Sequence, residues 1–290
     1  MSFANIVCPY NELLLETLKG HTVAVRVDDP AHAGEAAACV RRSRNTLACV
    51  IVEASSPVDV MDSGDGLKGV PLAVMSPSLG KLRNLWKHVK GMRELNLRIY
   101  LPCESRENIT GLRVLSSLGL HGCAIFGNGE TDWDAVADLM TYAVLERAYH
   151  APIEPFSFIA SHYDPHGGIE WGHIWFDDPR YFLHLDERGR VALSAMDLKK
   201  GRFIAQDLSE IPEPSAFPAI RDRVNAWRSL FIQNHACASC AGWKICRGRF
   251  AGEVSGDRDG CSAFFVELIE VCRQYKAGID KAEESRIWRL

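Results

Sequence analysis

Apolar residues fall in two rhythms along the first half of the chain. Short, continuous runs rich in Val, Ile and Leu occur at Thr22–Val27, Leu47–Glu53, Pro71–Met75, Leu95–Leu101, Leu120–Phe126 and Pro155–Ala160. Continuous rather than alternating apolar runs predict strands buried on both faces. Between them, apolar residues recur every three or four positions, as in Leu79–Val89 and Trp133–Leu145. That period predicts helices over about 33–44, 79–91, 107–118 and 131–149. Ser55–Gly69 is polar and Gly-rich and reads as a loop. Strand–helix alternation implies parallel strands joined by right-handed crossovers. Six strands and their helices suit an open, partial (β/α)6 barrel, because a complete eight-fold barrel needs more chain.

The rhythm changes after about residue 165. Tyr181–Ala195 predicts a β-hairpin turning at Glu187–Gly189, and Arg202–Ile204 a short further strand. Pro212, Pro214 and Pro218 mark a loop, and Arg221–Phe231 reads as a helix. A last helix is expected over Ala263–Tyr275, with Ser262 as its N-cap. The expected fold class is therefore α/β: residues 1–165 form the partial barrel, and 166–290 a smaller α+β domain.

Composition narrows the function. With 47% hydrophobic residues over 290 positions, a filled core is within reach. The formal net charge of −4, without a basic run, gives no electrostatic case for nucleic acid. No stretch approaches the ~18 apolar residues that a bilayer span requires. The N-terminus lacks a basic start followed by an apolar block, and Glu12 and Glu16 interrupt it, so no signal peptide is read. A cytoplasmic, reducing location is expected, where cysteines more often bind metal than form disulfides.

Ten cysteines then become informative. Cys8, Cys39, Cys49, Cys103 and Cys123 lie in apolar or helical surroundings and read as packed thiols. Cys237, Cys240, Cys246 and Cys261 differ. Their C-x2-C-x5-C spacing, with a fourth cysteine after a loop, makes a metal-ligand set. The intervening Ala238, Ser239, Ala241 and Gly242 are small enough for tight wrapping. Four thiolates suit a [4Fe–4S] cluster or tetrahedral zinc. The x5 spacing ranks the cluster ahead of zinc. Cys272 ranks second to Cys261 as fourth ligand, because it lies about three turns into the last helix. Lys244, Arg247 and Arg249 flank the ligands and either offset an anionic cluster or simply pack; Trp243 either shields it or packs.

The order of partial barrel, hairpin, connecting helix and C-x2-C-x5-C resembles radical SAM enzymes that carry a SPASM extension. The match is strongest over Tyr181–Cys261. The resemblance implies that Cys237, Cys240, Cys246 and Cys261 hold one auxiliary [4Fe–4S] cluster. A second auxiliary cluster would need a cysteine where this chain has Phe250, and others near the hairpin, which ends in Ala195. An active member also carries a C-x3-C-x2-C loop after its first strand, where this chain has Asp28–Glu35 with no cysteine. The Gly-Gly-Glu contact to S-adenosylmethionine is replaced by Val52–Pro57. The resemblance therefore implies a catalytically degenerate protein that binds no S-adenosylmethionine. Its expected role is accessory: a scaffold or electron conduit beside a radical SAM maturase, a ribosomal precursor peptide, or both.

Two alternatives stay open. An enzyme could use a small-molecule site at the barrel mouth, lined by Asp28, Asp29, Glu53 and the 162–173 loop. A zinc-stabilised binding module is the other. Within that loop His162, Asp164, His166 and His173 are close in sequence, and either bind a metal, supply a base, or form a polar connector between domains. The connector reading is favoured.

Overall fold

The computed structural model describes residues 5–63, 66–80, 82–126, 131–211, 225, 227–250 and 258–287. Strands alternate with helices through the first two thirds: β1 (Asn5–Pro9), α1 (Glu12–Thr17), β2 (Thr22–Val27), α2 (Ala33–Arg42), β3 (Thr46–Glu53), β4 (Leu72–Met75), α3 (Leu82–Glu94), β5 (Leu97–Pro102), α4 (Arg106–Ser117), β6 (His121–Ile125), α5 (Trp133–Leu145), β7 (Ile153–Glu154) and α6 (Phe156–His162). There follow β8 (Phe182–Leu185), β9 (Val191–Ala192), α7 (Ala195–Lys199), α8 (Trp243–Cys246) and α9 (Arg258–Ile287). The fold is α/β with mainly parallel strands. Prolines 212, 214 and 218, and most of the helix expected from residue 221, lie outside the described residues; residues 227–232 are helical.

Two compact units form, each from two stretches of chain: 1–101 with 172–223, and 102–171 with 224–290. This division cuts across the expected boundary at 165. The reason is strand pairing in the first unit. There the order is β5-β4-β3-β2-β1-β8-β9. All neighbours are parallel except the β8–β9 hairpin. The hairpin read as part of a second domain instead pairs with β1, Asn5 opposite Phe182 and Val7 opposite His184. Periodicity missed β1 altogether. Its side chains are nonetheless core: Ile6, Val7 and Cys8 are buried. α1, also missed, is N-capped by Asn11, whose Oδ1 accepts from Leu14 N–H. Buried Asn45 pins it, donating from Nδ2 to Leu15 O at 2.7 Å and accepting from His21 N–H. The expected strand at 202–204 reduces to a single bridge between Ala205 and Val191.

The second unit contains the parallel pair β6–β7 and helices α4, α5, α6, α8 and α9. Ser105 and Asp132 cap α4 and α5 through their side-chain oxygens. The run Pro155–Ala160, expected as a strand, is helix α6. Short apolar runs do not distinguish strand from buried helix. Here Phe156, Ile159 and Ala160 are buried at helical spacing, and Glu154 Oε2 accepts from Phe158 N–H at 2.9 Å. α9 packs against α5 and α6. It starts at Arg258, so Ser262 lies inside the helix and is not its N-cap. Among the described residues no helix is long and apolar enough to cross a membrane.

Candidate metal centre

The four predicted ligands all belong to the second unit. Cys237 lies in a 3-10 turn, Ala236–Ser239, whose entry is fixed by His235: its Nδ1 accepts from Cys237 N–H at 3.2 Å. Cys240 follows the turn, Cys246 ends α8, and Cys261 lies in the first turn of α9. All four are partly exposed, whereas Cys8, Cys39, Cys49, Cys103 and Cys123 are buried. Burial pushes the Cys8, Cys49 and Cys103 thiols up to about 12, which suits inert core packing.

The chain turns sharply after Cys246. Arg247 has φ 54° and Gly248 φ 70°, so both occupy the left-handed region. At Gly248 a side chain would also meet Leu230 and Trp243 at 3.0–3.1 Å. The turn brings the N–H groups of Phe250, Arg249 and Gly248 near enough to the Cys246 thiol to favour its charged form, while Arg249 N–H donates to the Cys246 carbonyl oxygen at 3.0 Å. Burial raises the Cys246 pKa, and these three amides oppose the rise. Such a cradle favours a thiolate. The Cys237 thiol is raised by burial first, then by the neighbouring Cys240. Cys237 is thus coupled electrostatically to both Cys240 and Cys246. Cys240 Sγ lies 3.7 Å from Ser262 Oγ, next to Cys261 in sequence. Gly242 permits this approach, since a Cβ there would fall 2.3 Å from Phe265 Cβ.

The donor set is chemically right for a thiolate-bound group, and an amide cradle lies near one sulfur. The side chains are not drawn into a closed set: among the described residues, no group of three or more His, Cys, Asp or Glu is arranged to hold a metal. Cys272 is fully buried in α9, and burial raises its pKa to about 12.

Phe250 stands where the resemblance places a cysteine. It is buried, and its ring meets Phe126, Trp133 and Phe265 at 5.3–5.8 Å between centroids. Phe250 thus belongs to an aromatic core that follows the turn after Cys246. The flanking residues are engaged in packing. Lys244 Nζ donates to Pro165 O at 2.7 Å, Arg249 lies over Trp171, and Trp243 packs against Trp227 and Phe231.

In the histidine-containing loop, the described contacts of His162 and Asp164 are local. His162 stacks on Phe158, with Nδ1 2.9 Å from the Phe158 carbonyl oxygen. Asp164 Oδ1 accepts from His166 N–H at 2.8 Å. Residues 165–171 are stitched to α8. Besides the Lys244 bond, Ile169 N–H donates to Lys244 O at 3.1 Å, and Trp171 Nε1–H donates to Ile245 O at 2.8 Å. The Arg247 guanidinium lies against Gly168, where any Cβ would collide with it. His173 belongs to the first unit and packs on Tyr181.

In the first unit, Asp28, Asp29 and Glu53 are exposed at the carboxyl ends of β2 and β3. Asp29 is a cap: its Oδ1 accepts from Ala31 N–H at 2.9 Å. The strand read as first is the second. The loop after the true first strand is only Tyr10 and Asn11 before α1 begins.

No family model matches the chain, and no curated protein does either. A solved structure of Streptococcus suis SuiB, bound to S-adenosylmethionine, is similar with a TM-score of 0.48 and 12% identity, over 85% of this chain and 73% of that one. At that level neither SuiB's ligand nor its chemistry transfers to this chain.

Proposed function

We propose that this chain is a radical SAM-like protein of the SPASM type. In this reading it has lost its S-adenosylmethionine site and binds one [4Fe–4S] cluster through Cys237, Cys240, Cys246 and Cys261. It serves as an accessory, a scaffold or electron conduit, to a radical SAM peptide maturase. The observation that carries the reading is the ligand spacing joined to the amide cradle at Cys246. When bound, the cluster supplies electron transfer or structural support, because four thiolates leave no open iron. The chain's own part is to hold those thiolates: the turn at Arg247–Gly248 brings amides near the Cys246 thiol, and the 165–171 stitching holds α8 in place. Second-sphere amides of this kind tune a cluster's potential.

Metal and sulfide analysis of anaerobically isolated protein tests the cluster. About four irons and four sulfides per chain, with a brown colour, are expected. A colourless protein with one zinc selects the zinc-stabilised module instead. Co-expression with neighbouring peptide and maturase genes tests the partnership, and failure to associate with either removes it.

A further inference from the structure

Two polar side chains in the first unit interrupt strands that are otherwise mainly apolar. Arg26 lies in Thr22–Val27 and His184 in Phe182–Leu185. Val7 of β1 pairs with both Ala24 and His184. Registered residues point to the same side of a sheet, and so do residues two apart. His184 and Arg26 therefore share one face. Arg26 leans across β1, bringing a terminal nitrogen to 3.5 Å from Leu185 O.

Both side chains are left incomplete. Arg26 Nε and His184 Nδ1 are buried and lack a hydrogen-bond partner among the described residues. Arg26 has no carboxylate partner among the described residues. His184 Nε2 lies 2.8 Å from Phe176 O, so it carries the proton and Nδ1 presents a lone pair. Arg26 Nε presents an N–H. An orphan donor and an orphan acceptor thus lie on one face. Asp177 Oδ1, 3.9 Å from His184 Nε2, is held by Ala195 N–H. Burial, and secondarily the Arg26 charge, depress the His184 pKa to about 4, against the pull of the Phe176 carbonyl and Asp197; the imidazole is neutral near pH 7. An unpaired buried donor costs roughly 1–3 kcal/mol. Here the defect is doubled, and the two halves are complementary.

We propose that Arg26 and His184 form a binding site for a small anion that carries a hydroxyl beside its charged oxygen, a hydroxy acid or hydrogen phosphate. The charged oxygen accepts from the Arg26 guanidinium, and the hydroxyl donates to His184 Nδ1. Arg26 as a residue is partly exposed, whereas its Nε and His184 Nδ1 are buried. The site needs nothing from the cysteines, so it stands or falls separately from the cluster.

Thermal unfolding of the full-length chain at pH 7.5 tests it, with lactate, inorganic phosphate, acetate and chloride at matched ionic strength. Lactate or phosphate at a hundredfold excess over Kd raises the midpoint by roughly 4–8 °C. A rise with lactate alone selects a hydroxy acid, and with phosphate alone a phosphate. Acetate and chloride leave the midpoint unchanged. Arg26→Met removes the orphan donor, and is expected to be at least as stable without ligand and to lose the response. If that variant does not fold, Arg26→Lys, which keeps the charge but not the Nε–H, is expected to weaken the affinity at least tenfold. No rise with either anion, an equal rise with acetate, or an undiminished response in the folded Arg26 variant overturns the proposal; a buried water then fills the gap.

Discussion

His184 is the residue whose environment most constrains its chemistry. Its pKa falls from the ordinary 6.5 to about 4, chiefly through burial. The folded state therefore prefers the neutral ring. Below pH 6.5 the unfolded chain binds a proton that the folded chain refuses, so stability is full above 6.5 and declines as pH falls toward 4. The expected loss is roughly 3 kcal/mol, measurable as a falling urea midpoint between pH 7 and 4. His184→Leu flattens that part of the profile. Gly242 makes a different prediction. Its φ is ordinary, −72°, so backbone strain is not at issue. The constraint is the Phe265 Cβ, 2.3 Å from where a methyl would sit. Gly242→Ala is expected to cost about 1–3 kcal/mol by overpacking, read by denaturant unfolding. Gly242 reads as one of the small residues between ligands, whereas His184 is not singled out within the hairpin. What the sequence could not give was the neighbour that makes each matter.

At the scale of elements, long and strongly periodic segments were legible. β2 coincides with its expected bounds, and α2, α4 and α5 fall within a few residues of theirs. Tertiary context decided the failures. α6 and the expected strand at 155–160 share one short apolar run, and burial at i, i+3 and i+4 settled it as helix. β1 carries only three core residues, too few for a period to declare itself. The 162–173 stretch reads as a polar connector, and His162 and Asp164 do make local contacts. Its attachment to α8 was invisible, because each of the three bonds uses at least one backbone group. Trp171→Phe tests that attachment. It strips Ile245 O of its donor in a buried place, and is expected to cost about 1–3 kcal/mol. Hydrogen exchange should speed up over residues 243–249 while the first unit is unaffected.

At the scale of the whole molecule, the proposed cluster makes a prediction about its fourth ligand. Cys261 is partly exposed in the first turn of α9, with its neighbour Ser262 beside Cys240. Cys272 is fully buried and packs as a hydrophobe. Cys261→Ser is therefore expected to lower bound iron sharply in anaerobically prepared protein, and Cys272→Ser to leave it near the wild-type value. The reverse result would transfer the fourth thiolate to Cys272. Because metal binding and folding are linked, the proposed cluster predicts that its removal lowers protection in the second unit. Domain boundaries belong to this scale too. The hairpin at 182–192 was recognisable, yet it completes the first unit's sheet, since β1 offers it a parallel edge.

The sequence by itself determined the class of fold, most of its helices and strands, and the thiolates available to a metal, because these follow from local periods and spacings. Only the tertiary structure decided which stretches join one unit, how amides turn toward Cys246, and that Arg26 and His184 share a face. Those outcomes depend on strand register and on contacts between residues far apart in the chain, and no local pattern encodes them.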